Sequence, residues 1–229
     1  MVFLFAVILT LGTGAANVAA FTRLGNVFAS VMTGNLVLLG LAAERLSVTL
    51  AAHAVIAIAG YVAGVAAAAR LVPTGQMPSW RMHRVVPALL VEVVLLAVFT
   101  VGWELTGTRP QGASQLILLA IATAAMGTQS AAARGLSSRV STTYLTGTLT
   151  TVIAMLVTQG EKRVQWREAW QILAMAGGAA VGGLVLVVAP AALPALPIAA
   201  VVAVIWVIEA SERLRRGDRQ QKVARGRQP

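Results

Sequence analysis

The sequence predicts an all-α integral membrane protein with six full transmembrane helices and two short broken or re-entrant helices, arranged as an inverted internal repeat. Composition is the first observation: 58% of the 229 residues are hydrophobic and 11% are charged, whereas about 25% of a soluble domain is charged. The second is a set of apolar stretches near the roughly 20 residues that cross a bilayer as a helix. The third is a Thr-Gly motif that recurs 113 positions later.

The full-length segments lie at about residues 2–22, 50–71, 85–106, 115–134, 167–190 and 194–211. The first of them lacks the basic n-region of a signal peptide, and its apolar run is long for an h-region, so we interpret it as a transmembrane helix. A β-barrel does not fit, because the segments lack strict apolar and polar alternation. We expect one transmembrane domain, 1–211, and a basic tail, 212–229.

Two further apolar segments, 28–43 and 141–158, are shorter and carry Thr33-Gly34 and Thr146-Gly147 near their centres. Glycine inside a helix costs about 1 kcal/mol relative to alanine, so the motif predicts a helix break. Broken backbone at membrane depth must face protein or a water-filled cavity. We therefore expect a half-helix at 34–43 capped by Thr33, and its counterpart capped by Thr146. Alternatively, Thr-Gly serves only close helix packing.

An internal repeat is indicated by matches at one spacing. An offset of 113 residues aligns Gly14 with Gly127, Ala19-Ala20 with Ala132-Ala133, Thr33-Gly34 with Thr146-Gly147, and Leu36 with Leu149. The GxxxG pair of Gly60 and Gly64 aligns with that of Gly178 and Gly182 at an offset of 118. We infer two homologous halves, at about 1–106 and 115–211.

The distribution of Arg and Lys favours short segments that re-enter on their side of origin. That topology has 15 basic residues on the cytoplasmic side and 3 outside, whereas two full crossings give 12 and 6. If only the first short segment crosses, 16 basic residues lie on the cytoplasmic side and 2 outside, but the two halves then have different shapes. With three spans in each half, the second half enters the membrane from the opposite side, as in many transporters.

Polar residues within the apolar segments are the candidates for a functional site. Two half-helix N-termini meeting at the centre would favour an anion or a polar solute. The predicted solute-binding residues are Thr33, Gly34, Asn35, Thr146, Gly147, Thr148, Asn17, Ser130 and Gln129. Glu92 is the candidate for proton coupling, because an ionisable residue inside a span is a functional hypothesis by default. The alternative roles are hydrogen bonds between helices and, for Glu92, a structural neutral acid.

Several classes of function are not expected. The chain has no Cys, two His and Asp218 as its one Asp, so the usual groups of an enzyme or a metal site are scarce. We expect no catalysis, metal or cofactor. The net charge is +10, but seven of the 18 basic residues lie in the tail, which predicts contact with anionic lipid headgroups rather than nucleic acid. The sequence leaves open a homo-oligomer.

The stretches "GAANVAAFTRLGNVFASVMTGNLVLLGL" and "GTQSAAARGLSSRVSTTYLTGTLTT" resemble the YoaK-like family of uncharacterised bacterial multi-pass membrane proteins. The resemblance implies a protein of the bacterial inner membrane and supplies no substrate. The family pattern often has Asp at the position of Asn17 and Asn at that of Ser130. We expect a small-solute transporter or channel with a midplane site; the alternative is a non-transporting scaffold or accessory subunit.

Overall fold

The computed structural model describes residues 2–72, 84–136, 147, 149–150, 153–154 and 166–225. Within those ranges the protein is helical, without a strand. Its longer helices are α1 (Val2–Arg23), α2 (Met32–Glu44), α3 (Val48–Ala69), α4 (Val86–Leu105), α5 (Ala113–Leu136), α6 (Trp166–Val188) and α7 (Ala195–Arg225). A 3₁₀ turn, Pro190–Ala192, connects α6 to α7.

All of these helices except α2 are long and apolar enough to cross a membrane, which gives six candidate spans. Their bounds agree with the predicted segments to within a few residues, apart from the end of α7. That helix continues to Arg225, so the predicted tail begins as a helical extension of the last span. The 13 residues of α2 are about 20 Å long, which is too short for a hydrocarbon layer of about 30 Å.

Glycines bring helices from different parts of the chain into backbone contact. α1 packs against α6, where a Cβ on Gly14 would collide with the backbone of Met175 and Gly178. α3 packs against α5, where a Cβ on Gly64 would collide with the Ala124 carbonyl. α4 lies against α5 and α7, and α1 also contacts α5 and α7. Small residues allow this approach, which supplies dispersion contacts in a lipid solvent.

The end of α1 and the beginnings of α3 and α5 lie at one face of the bundle, which we call the Arg23 face. Gln115 Nε2 donates to the Arg23 carbonyl at 2.9 Å, and Gln115 Oε1 lies 3.0 Å from His53 Nε2. The end of α4 also lies at this face, because Gly102 packs against Leu118 near the beginning of α5. The chain therefore leaves this face at the end of α1 and begins α3 there.

The half-helix predicted at 34–43 with Thr33 as its cap begins two residues earlier than expected. The non-helical segment is 24–31, and α2 begins at Met32 with Val31 as a cap that makes no side-chain hydrogen bond. Thr33 therefore lies inside the helix and does not cap it. The chain turns earlier because Gly25 and Asn26 have φ angles of +98° and +59°, which are incompatible with continuing α1. The second short segment, with Thr146 and Thr148, lies outside the described residues, apart from isolated helical positions that include Gly147.

Candidate functional site

Two clusters of buried polar side chains lie within the described part of the bundle. The central cluster consists of Thr13 on α1, Glu92 on α4 and Gln129 on α5. The loop cluster consists of Asn17, Ser30 and Asn35, with the backbone of Phe28. Most buried polar groups in proteins are hydrogen-bonded, so the partners of each group indicate what it does.

The central cluster joins three helices through side chains that are at most 1% exposed. Gln129 Nε2 lies 2.9 Å from Glu92 Oε1, and Gln129 Oε1 lies 2.6 Å from Thr13 Oγ1. Thr13 Oγ1 is also 2.9 Å from the Leu9 carbonyl. The second carboxyl oxygen, Glu92 Oε2, is buried and has no hydrogen-bond partner.

The position of Glu92 follows from the helical period of α4. The buried residues of that helix recur every three or four positions and are Ala88, Leu89, Glu92, Leu96, Phe99 and Trp103. Glu92 therefore occupies a core position of an otherwise apolar stripe and points at α5 instead of at lipid. It lies six residues after Val86, about 9 Å along the helix.

Glu92 has no cationic partner in the described structure, where its hydrogen bond is to Gln129. The described residues also contain no group of His, Asp or Glu that could hold a metal ion. An isolated carboxylate in such a place is costly, whereas a carboxylic acid is tolerated more easily. The chemistry open to this cluster is the binding and release of a proton or of a hydrogen-bonding solute.

The loop cluster fixes the segment 24–31 in the bundle. Asn17 Nδ2 donates to Ser30 Oγ at 2.8 Å, and the Ser30 amide donates to Asn17 Oδ1 at 3.0 Å. Asn35 Oδ1 accepts from the Phe28 amide and Asn35 Nδ2 donates to the Phe28 carbonyl, both at 2.8 Å. The two asparagine side chains thus satisfy backbone groups that lack helical partners. Their predicted contact with a solute remains a prediction.

The other predicted site residues lie in different surroundings. Ser130 is 6% exposed, and its Oγ is buried without a partner. Thr33 and Gly147 are exposed. Gly34 faces the Phe28 ring, whose carbons lie 3.1 and 3.2 Å from where its Cβ would be. Phe28 in turn stacks on Phe21, with ring centroids 5.2 Å apart. The structure thus brings Gln129 and Glu92 together and directs Asn17 and Asn35 to the loop.

Sequence reasoning missed Thr13 and Ser30. Thr13 stands between Gly12 and Gly14 in an apolar helix, and a polar residue flanked by glycines is a signal that could have selected it. Ser30 carries no comparable signal, because its contact with Asn17 depends on how the chain turns at Gly25. It is nevertheless only 2% exposed.

An apolar cavity of about 410 Å³ lies between α1, α6 and α7. Its lining includes Leu11, Gly12, Ala15, Gly178, Leu196 and Ala200. Polar solutes have no partners on such a surface, so this cavity is separate in character from the central cluster.

Comparison with known proteins finds a matching family model and a curated relative. A family model described as "Protein of unknown function (DUF1275)" matches residues 5–208. The UPF0700 transmembrane protein YoaK of Bacillus subtilis (strain 168) is 33% identical over 147 residues, which cover 64% of this chain and 63% of that protein. The aligned region thus spans a little under two thirds of the relative's length. No solved structure matches the chain.

Proposed function

This chain belongs to the DUF1275 family, as its motifs predicted, and we propose that it carries a small polar solute across the membrane as a transporter or channel. The observation that carries the proposal is Glu92, a carboxyl group that is 0% exposed within a candidate span. Intramembrane carboxyl groups are costly and mark solute or proton pathways in many membrane proteins. Gln129 and Thr13 extend this polar centre across two neighbouring helices.

The helix pairs support an inverted repeat as the frame of this pathway. α1 packs on α6, and α5 packs on α3, so the first span of each half lies on the second span of the other. Gly14 contacts Met175 and Ala179, while Gly127 contacts Tyr61 and Val65. Met175 and Tyr61 are 114 positions apart, and so are Ala179 and Val65. This separation is close to the 113 positions between Gly14 and Gly127.

The same contacts favour a different alignment of the GxxxG pairs. Gly64 meets Ala124 and Gly178 meets Leu11, and these partners are themselves 113 positions apart. These contacts support Gly64 and Gly178 as the equivalent pair of the proposed repeat, at an offset of 114 rather than 118. Two glycines four residues apart look alike in either register, so the sequence alone does not distinguish the two offsets.

The loop cluster supports re-entry of the first short segment. Asn17 lies six residues before the end of α1, about 9 Å below the Arg23 face, and Ser30 returns to its depth. α3 then begins again at the Arg23 face. Non-helical backbone at such depth is tolerated where protein or water covers it. The proposal extends to the second short segment by the repeat.

The proposed pathway includes the polar residues of both halves, with Glu92 coupling solute movement to a proton. Besides the residues of the two clusters, the proposed solute contacts are Thr33, Gly34, Ser130 and the motif of residues 146–148. The protein is proposed to act without enzymatic activity, metal or cofactor. The oligomeric state forms no part of the proposal.

The proposed location is the bacterial inner membrane, with the C-terminus in the cytoplasm and the Arg23 face outside. The excess of basic residues at the opposite face supports this orientation. The helical extension of α7 carries Arg213 and further basic residues, which suits contact with anionic headgroups. Nucleic acid is not a proposed partner.

Cysteine accessibility tests the proposal directly, because the natural chain contains no Cys. Ser130→Cys in membranes should react with a small, membrane-impermeant thiol reagent when the reagent has access to both faces. Thr10→Cys is the matched control, since Thr10 is 0% exposed and bonds the Ala6 carbonyl of its own helix. Gln111→Cys, on an exposed loop, is the positive control. Protection of Ser130→Cys equal to that of Thr10→Cys would remove the water-lined pathway.

A non-transporting scaffold or accessory subunit is the second candidate. It is favoured by the way interior polar groups pair: Asn17 with Ser30, Asn35 with Phe28, and Gln129 with Glu92. The apolar lining of the cavity between α1, α6 and α7 agrees with this role. A scaffold would leave Ser130→Cys unreactive, so the same labelling experiment separates the two functions.

A further inference from the structure

The hydrogen atoms of the central cluster cannot satisfy all of its short contacts at once. Thr13 Oγ1 is within hydrogen-bond distance of two acceptors, the Leu9 carbonyl and Gln129 Oε1. A hydroxyl has one hydrogen to donate. At most one of these two contacts can therefore be a linear hydrogen bond donated by Thr13.

Two orientations of the Gln129 side-chain amide resolve the conflict. In the first, Gln129 donates to an ionised Glu92, and Thr13 donates to Gln129 and not to Leu9. In the second, the amide is turned by 180°, a protonated Glu92 donates to Gln129 Oε1, and Gln129 Nε2 donates to Thr13. Thr13 is then free to donate to the Leu9 carbonyl.

Each orientation has one argument in its favour. The distances of 2.6 Å to Thr13 and 2.9 Å to Glu92 match an O–H and an N–H donor respectively, as in the first. The second makes three hydrogen bonds instead of two, and its remaining oxygen, Glu92 Oε2, is an uncharged carbonyl. In the first, that buried oxygen shares a negative charge and needs a donor from water or solute. The two orientations are therefore alternative states tied to one proton.

We propose that the Gln129 amide is a two-position relay that turns when Glu92 gains or loses a proton, and that Thr13 passes the change to α1. Its use in transport rests on the proposed function, whereas the relay itself does not. Gln129 and Thr13 are positioning residues in this scheme, and Glu92 is the proton-binding group.

The relay acts on α1 at Thr13, where the helix can bend more easily than elsewhere. A threonine that bonds the carbonyl four residues earlier bends a helix slightly, and glycines beside it lower the resistance to bending. Gly12 and Gly14 flank Thr13, and both lie against other helices: Gly12 against Pro197 and Ala200, Gly14 against Met175. Moving the Thr13 proton between Leu9 and Gln129 therefore acts where α1 touches α6 and α7.

No other charged side chain in the described structure is bonded to this cluster. The ionisable residues on α1, on α5 and on α7 as far as Leu214, which pack around the cluster, are Arg23, Arg134, Glu209, Glu212 and Arg213. On α4 itself the other one is Glu104, which is exposed. All lie towards the ends of the apolar spans, so Glu92 is the group whose charge the relay would sense.

The test follows two signals on the intact protein in lipid nanodiscs as the pH is varied. Infrared spectra report the carboxylic-acid band of Glu92, identified by its loss in Glu92→Gln. Nuclear magnetic resonance of ¹⁵N-labelled glutamine reports the Gln129 side-chain amide, identified by its loss in Gln129→Met. We expect both signals to change with one midpoint. In Glu92→Gln the Gln129 signal should not move with pH.

Thr13→Val should lower that midpoint by about half to one pH unit, because it removes two bonds from the protonated state and one from the ionised state. Thr10→Val, which removes a comparable hydroxyl one turn earlier, should leave the midpoint unchanged, and Thr13→Ser should restore it. An acid band that persists at every pH, a Gln129 signal that ignores it, or equal midpoints in Thr13→Val and Thr10→Val would each overturn the relay. None of these measurements requires transport.

Discussion

Replacing Gly178 by alanine tests whether backbone contact between α1 and α6 holds the bundle together. The new Cβ would collide with the Leu11 carbonyl oxygen and lie 2.8 Å from the Leu11 Cα, so α1 must move. Gly183 lies on the same helix, and its Cβ would meet no atom within 4 Å. Both changes gain the same helix propensity, which cancels in the comparison. Overpacking costs about 1–3 kcal/mol, so Gly178→Ala should be less stable than Gly183→Ala by that amount.

The assay is equilibrium unfolding of the purified protein by sodium dodecyl sulfate in mild detergent, followed by the fluorescence of its five tryptophans. Gly64→Ala extends the test to the contact that the proposed repeat makes equivalent, because its Cβ would collide with Ala124 as that of Gly178 does with Leu11. Equal stability of Gly178→Ala and Gly183→Ala would refute the packing argument. A neutral Gly64→Ala beside a destabilising Gly178→Ala would refute the equivalence of the two contacts.

Three further changes have expected outcomes. Asn17→Leu removes the partners of the buried Ser30 amide and hydroxyl and should cost about 2–4 kcal/mol, which the same unfolding assay measures. Gly34→Leu should destabilise the protein by pushing on Phe28, and persistence of full stability would contradict that contact. A cysteine introduced at Gln220 should resist an impermeant thiol reagent in intact cells, and labelling there would reverse the proposed orientation.

The spans could be predicted from sequence because hydropathy is a local property of the chain. The burial of Glu92 could be predicted for a related reason: its neighbours at helical spacing, Ala88, Leu89 and Leu96, are all apolar. The beginning of α2 could not be predicted in the same way. It depends on positive φ angles at Gly25 and Asn26 and on the reach of Asn35 back to Phe28, which the hydropathy of the segment does not reveal.

Sequence analysis also could not predict which side chains form hydrogen bonds between different helices of the bundle. Gln129 was selected from its polarity within a span, but its contacts with Thr13 and Glu92 join positions 116 and 37 residues away. Those contacts depend on which faces of α1, α4 and α5 meet. The spacing of the glycines narrows the set of helix faces that can meet. It does not select one face, because a GxxxG pair aligns equally well in two registers that differ by one helical turn.

The crossed packing of the helices has a consequence for how the protein is made. α1 packs most closely on α6, and α3 on α5. Both α5 and α6 are synthesised after α1 and α3. During synthesis, the first helices inserted into the membrane stay without the surfaces that complete their packing, and their glycine faces contact lipid until the later helices arrive. A chain truncated before α5 would therefore retain inserted helices but not the assembled bundle. For this architecture, we therefore expect insertion of the first helices to precede their tertiary assembly.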